Sequence, residues 1–110
     1  MTFGKPRVRL PESARTGEVV TIRTLVGHAM ESGFRKGPDG SRVPRLIVNR
    51  FVCTFEGEEV LAVDLEPAMS ANPFFEFDVR VERSGTFRFV WTDDSGAEAV
   101  AEAAITVTSG

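Results

Sequence analysis

The sequence FFEFDVRVE at residues 74–82 alternates apolar and charged side chains from Phe75 to Glu82. In an extended chain, successive side chains point to opposite sides, so the apolar positions share one face and the charged positions share the other. This alternation predicts a β-strand with one face in a core and one face in water. After Ser84-Gly85 the same period resumes through Phe87, Phe89 and Trp91, which predicts a second strand with one buried face.

Five further runs with strand character lie on either side of this pair. Glu56-Gly57 separates two of them and predicts a hairpin turn. The last run, from Ala97 to Thr108, is rich in alanine and has helix propensity, but it also alternates and ends in Ile-Thr-Val-Thr. We predict a strand there, because the strand that carries Trp91 needs a partner. The predicted strands are Arg7–Leu10, Glu18–Val26, Leu46–Phe55, Glu58–Leu65, Phe74–Glu82, Thr86–Thr92 and Ala97–Thr108. They predict an all-β chain, an immunoglobulin-like antiparallel β-sandwich of about seven strands, with residues 1–110 as a single domain.

Charge and hydropathy exclude several classes of protein. The chain of 110 residues has a net charge of −3, which argues against a general nucleic-acid binder. No segment approaches the roughly 20 apolar residues of a membrane span, and the first residues lack the apolar run of a secretory signal. Basic residues concentrate in the first half and acidic residues in the second. Interleaved strands from the two halves are expected to bring these opposite charges together, whereas a single face that collected one sign could steer a charged partner.

The chain has one cysteine and one histidine, which limits its chemistry. The strand register places Cys53 between Phe51 and Phe55, facing the core, where a thiol is a poor nucleophile. The paired acids of the sequence lie in turns and hairpins and point to opposite faces, so they predict no acid–base pair. We therefore predict no catalytic residue, no cofactor and no enzymatic activity.

Two long loops, Gly27–Arg45 and Glu66–Pro73, interrupt the strand pattern. A soft-metal site built from His28, Met30 and Met69 remains open, but one histidine cannot complete a blue-copper site. The residues otherwise favour a binding module, because these loops carry apolar side chains that are typical of protein interfaces.

Four ordered motifs resemble those of the SoxZ family of the thiosulfate-oxidising Sox system. They are HAMESGFR at residues 28–35, VPRLI at 43–47, ANPFF at 71–75 and WTDDSG at 91–96. The resemblance runs from Arg7 to Val107, with one departure at Ala29, where the family usually has proline.

The resemblance implies an immunoglobulin-like subunit that binds SoxY, a partner that carries sulfur intermediates on the cysteine of its C-terminal arm. The pair, a heterodimer or a heterotetramer, is expected to meet a Sox cytochrome, a hydrolase and a sulfane dehydrogenase in transient contacts. The resemblance also implies a periplasmic location reached with the partner's signal, whereas the sequence alone would predict the cytoplasm. No nucleic acid or membrane is expected as a partner.

For the partner interface we hypothesise the loop residues Met30, Phe34, Arg45, Met69 and Phe74. An alternative function is that of an independent periplasmic binding domain for a soft metal ion or a sulfur anion.

Overall fold

The computed structural model describes residues 3–28, 36–41, 46–65 and 74–109. These residues form eight strands: β1 (Arg7–Arg9), β2 (Ser13–Arg15), β3 (Glu18–Leu25), β4 (Val48–Phe55), β5 (Glu58–Asp64), β6 (Phe74–Val81), β7 (Gly85–Asp93) and β8 (Glu98–Thr108). No helix among the described residues is long and apolar enough to span a membrane.

The strands form two sheets. The small sheet has the order β1-β3-β6, and the large sheet has the order β2-β8-β7-β4-β5. All pairings are antiparallel except that of β2 with β8, which is parallel. The prediction of an all-β, immunoglobulin-like sandwich is thus confirmed.

The core lies between the sheets and is formed by the apolar sides of the alternating strands. In β7 every second side chain is fully buried, at Phe87, Phe89 and Trp91. Across the core, the ring of Phe51 in β4 stacks on that of Phe75 in β6, with centroids 4.5 Å apart. This contact joins the two sheets through side chains whose placement was predicted from period two alone.

Short turns connect two pairs of neighbouring strands in the large sheet, β4 with β5 and β7 with β8. Glu56 and Gly57 link β4 to β5, and both have positive φ, at 49° and 85°. A two-residue hairpin loop of this kind matches the twist of its strands, and glycine adopts its conformation without steric cost. The predicted hairpin is confirmed.

Opposite charges from the two halves of the sequence meet on the outer faces. On the small sheet, Arg23 forms an ion pair with Glu76. On the large sheet, Arg50 Nη1 lies 2.8 Å from Asp64 Oδ1. The structure therefore interleaves the basic and the acidic half, as the strand pattern suggested.

The strand that the sequence did not predict is β2. It has only three residues, Ser13–Arg15, and no apolar period marks it. Ala14 is buried nevertheless, because the segment pairs with the end of β8 in register Ala14↔Val107. Its strand conformation therefore depends on a contact with a part of the chain more than ninety residues away, as the Thr108 Oγ1 to Ala14 carbonyl bond illustrates.

Candidate functional site

A buried histidine–aspartate pair lies at one end of the sandwich. His28 follows β3, and Asp93 ends β7. Their side chains are fully buried, and His28 Nε2 lies 3.1 Å from Asp93 Oδ2. The Phe3 ring packs edge-on against the imidazole at 4.7 Å between centroids. The pair thus links the segment that leaves the small sheet to the hairpin of the large sheet.

Asp93 also organises the turn between β7 and β8. Its Oδ1 accepts hydrogen bonds from the Ser95 N–H at 2.9 Å, the Ser95 hydroxyl at 2.6 Å and the Ala97 N–H at 3.1 Å. Burial alone would raise the pKa of Asp93, but the hydrogen bonds from Ser95, His28 and Ala97 outweigh it and lower the pKa. Asp93 therefore remains a carboxylate, which a buried site accommodates because its oxygens are hydrogen-bonded.

Asp94 performs the corresponding role for the beginning of β4. Its Oδ2 accepts the Ile47 N–H at 3.1 Å, and its Oδ1 accepts the Asn49 side-chain amide at 3.0 Å. The Asp94 N–H in turn donates to the Ile47 carbonyl at 3.0 Å. Two adjacent aspartates of the WTDDSG motif thus point to opposite sides and hold two different segments.

These bonds define what the end of the sandwich can do. Asp93 and Asp94 fix the chain at His28, at Ile47 and at the turn of residues 93–97. They use the side-chain oxygens as acceptors for the protein's own donors, which suits a structural tie. Among the described residues no group of three or more histidine, cysteine, aspartate or glutamate side chains could hold a metal ion.

Sequence reasoning placed the WTDDSG aspartates in a turn but did not predict the pairing with His28. The only sequence signal for the pair was that His28 and Asp93 both lie in motifs that resemble the SoxZ family. The Met30 and Met69 of the open soft-metal site lie outside the described residues, so that hypothesis stays a prediction.

Cys53 lies in β4 with its side chain in the core, as the register predicted. It is fully buried, and burial raises the pKa of its thiol to about 12. At neutral pH almost none of it is the thiolate, which is the reactive form.

Of the five hypothesised interface residues, only Phe74 lies within the described part of the chain. Met30, Phe34, Arg45 and Met69 fall outside it. Phe74 begins β6 and is 57% exposed, the highest value among the large hydrophobic side chains of the described residues. Its cross-strand partner is Leu25 of β3, which is 37% exposed. The pair forms an apolar contact surface at the end of the sandwich where β3 and β7 end and β4 and β6 begin, which we call the loop end.

These features define a class of protein: a small two-sheet β-sandwich whose loop end is braced by buried polar bonds and presents an exposed apolar pair. The sequence also matches the family model described as sulphur oxidation protein SoxZ, over residues 8–104. The match covers most of the chain, which therefore belongs to the SoxZ family. No curated protein sequence matches it.

Solved structures share the fold at low sequence identity. A superoxide reductase (neelaredoxin) from Ignicoccus hospitalis superposes with a TM-score of 0.76 and 18% identity, covering 96% of this chain and 82% of that one. The sulfur carrier protein SoxY from Chlorobium limicola f. thiosulfatophilum superposes with a TM-score of 0.66 and 16% identity, covering 94% and 78%. At these identities the likeness establishes a common fold and nothing about activity.

Proposed function

We propose that this chain is the non-catalytic subunit of a SoxYZ-type sulfur-carrier complex in thiosulfate oxidation. It binds and stabilises a SoxY-like subunit, whose C-terminal cysteine carries the sulfur intermediates. It also helps to present that subunit to the Sox cytochrome, hydrolase and sulfane dehydrogenase. We place the pair in the periplasm, with this chain exported together with its partner.

The observation that carries the proposal is the family match over residues 8–104. The braced loop end supports a binding role, because fixed loop bases hold an interface in shape before the partner arrives and so lower the entropy cost of association. The exposed pair of Phe74 and Leu25 supplies the apolar area that such an interface needs.

The chemistry of the described side chains fits a role without catalysis. The sole cysteine is buried with a raised pKa, and the His28–Asp93 pair is engaged in holding the turn. Under this proposal the sulfur intermediates are bound by the partner's cysteine and never by Cys53.

Co-expression with SoxY from the same organism, followed by native mass spectrometry, tests the proposal. We expect a stoichiometric complex, whose mass distinguishes a heterodimer from a heterotetramer, and a partner that is more soluble than when it is expressed alone. If the two chains do not associate, the proposal is wrong.

A control titrates the isolated chain with thiosulfate and with copper. Stoichiometric binding of either in the absence of a partner would favour an independent binding domain for a sulfur anion or a soft metal.

A further inference from the structure

The outer face of the small sheet carries an apolar and basic row at the loop end. The strand registers place Arg7 of β1 opposite Leu25 of β3, and Leu25 opposite Phe74 of β6. All three side chains are exposed. Their strand neighbours Thr24 and Phe75 point inward, so the row faces away from the core and contributes nothing to its packing.

A groove of about 310 Å³ opens beside this row, and we call it the basic groove. It is lined by Gly4, Lys5, Arg7, Leu25 and Gly27. The Gly4 N–H donates to the Gly27 carbonyl at 2.7 Å, so two glycines without side chains approach each other closely along the groove. Lys5 and Arg7 supply its charge, and Leu25 joins it to Phe74.

The charge of this face is opposite to that of the whole chain. The charged residues concerned are Lys5, Arg7, Arg9, Arg23, Arg80, Glu76, Asp78 and Glu82. Five cations against three carboxylates leave an excess of +2, whereas the entire chain has a net charge of −3. Glu76 is engaged by Arg23, and Asp78 accepts the Thr21 hydroxyl at 2.7 Å. Neither of these carboxylates is bonded to Lys5 or Arg7, so the cations of the basic groove remain for a partner, as do Arg9 and Arg80.

We propose that the basic groove and Phe74 form the docking site for an acidic segment of the carrier subunit that presents apolar side chains flanked by carboxylates. This inference rests on the proposed function and adds the chemistry of the partner's contact segment. The apolar part covers Leu25 and Phe74, and the carboxylates bind Lys5 and Arg7. Phe74 and Arg7 are of residue types that are enriched at protein interfaces, and Leu25 adds apolar area between them.

Charge selects this occupant over a second copy of the chain. Two copies facing each other through this surface would bring the same excess of cations together, which opposes their association. An acidic partner gains from the same charges and is steered towards them in solution. Its binding should therefore weaken as the ionic strength rises.

The test measures the affinity of purified SoxY from the same organism for variants of this chain by titration calorimetry. Arg7→Glu reverses a charge of the basic groove, and Phe74→Ser removes the aromatic ring. Arg88→Glu and Val100→Ser are the matched controls, because both residues are exposed on the outer face of the large sheet. Thermal unfolding of all four variants checks that each one is folded.

We expect binding at least about tenfold weaker for Arg7→Glu and for Phe74→Ser, and unchanged binding for both controls. We also expect a smaller salt dependence for Arg7→Glu than for the original chain. For a variant that does not fold, the substitutions Arg7→Gln and Phe74→Leu take its place.

Two kinds of failure remain distinct. If the original chain does not bind SoxY, the proposed function is wrong. If it binds but the groove variants bind equally well, or the controls lose as much, only the docking site is wrong. Two further outcomes would assign this surface to another occupant, provided that SoxY binding is unchanged. If Phe74→Ser dissociates a dimer of the chain in sedimentation, the surface binds a second copy. If Arg7→Glu abolishes binding of thiosulfate, it binds an anion.

Discussion

Replacement of Asp93 by alanine should be among the most damaging single substitutions in the described part of the chain. The change removes the acceptor of three hydrogen bonds at the turn, together with the carboxylate oxygen that lies 3.1 Å from His28 Nε2. A hydrogen bond to a charged group contributes about 1.5–3 kcal/mol, and the substitution removes several such bonds at once. We therefore expect a loss of about 3–5 kcal/mol, a large share of the roughly 5–15 kcal/mol that stabilise a typical domain.

Urea unfolding followed by the fluorescence of Trp91, the sole tryptophan, measures this loss. Asp93→Asn should lower the free energy of unfolding less than Asp93→Ala does, because the amide oxygen of asparagine still accepts the N–H groups of Ser95 and Ala97. Asp39→Ala is the matched control. Asp39 bonds the N–H and hydroxyl of Ser41 at 3.1 and 2.7 Å in the same local pattern, but it is exposed, so its loss should change the stability little.

The contribution of Asp93 should also depend on pH. Its folded-state pKa is lowered from 3.8, so the unfolded chain binds the proton more readily than the folded chain. The stabilisation is complete above the unfolded pKa and is lost as the pH falls through the folded pKa. The difference in unfolding free energy between the original chain and Asp93→Asn should therefore shrink below about pH 4. The reasoning is refuted if Asp93→Ala unfolds within about 1 kcal/mol of the original chain, or if the difference grows on acidification.

Three further predictions concern the core and its edge. Iodoacetamide at pH 8 should label Cys53 only as fast as the chain unfolds, since burial raises the pKa of the thiol to about 12; rapid labelling of the folded chain would contradict this. Gly85→Ala should lower the free energy of unfolding in urea by about 1–3 kcal/mol, because a Cβ there would lie 2.6 Å from Phe55 Cζ. An unchanged urea midpoint would show that the Phe55 ring moves aside freely. Trp91→Phe should lower the free energy of unfolding by only about 1–2 kcal/mol, as measured by circular dichroism. The smaller ring leaves a cavity, but the substitution also removes Trp91 Nε1, which is buried without a hydrogen-bond partner among the described residues, and this gain offsets part of the loss. A loss above about 4 kcal/mol would contradict this prediction.

The burial of β3, β6 and β7 was predictable from their sequences, because a period of two assigns each side chain to a face without reference to any other strand. Cys53 was placed correctly by the same rule. Even β8, with its alanines and its helix propensity, was predicted correctly, because its neighbour needed a partner. Except for β8, which needed the strand beside it, the deciding information in these cases is local.

The sites that the sequence did not predict depend on distant parts of the chain. Ala14 is buried only because β8 runs beside it, and His28 is engaged only because the hairpin of β7 and β8 brings Asp93 within 3.1 Å. The basic groove arises in the same way. Arg7, Leu25 and Phe74 lie far apart along the chain, and only the pairing of β1, β3 and β6 places them in one row beside the groove.

The amino-acid sequence alone thus determined the fold class, the inert cysteine and the family, since strand period and motif order are properties of short segments. The buried pair that braces the loop end and the cationic face of an acidic chain followed only from the tertiary structure. Side chains from separate strands become neighbours through register and sheet order, and no local pattern encodes these.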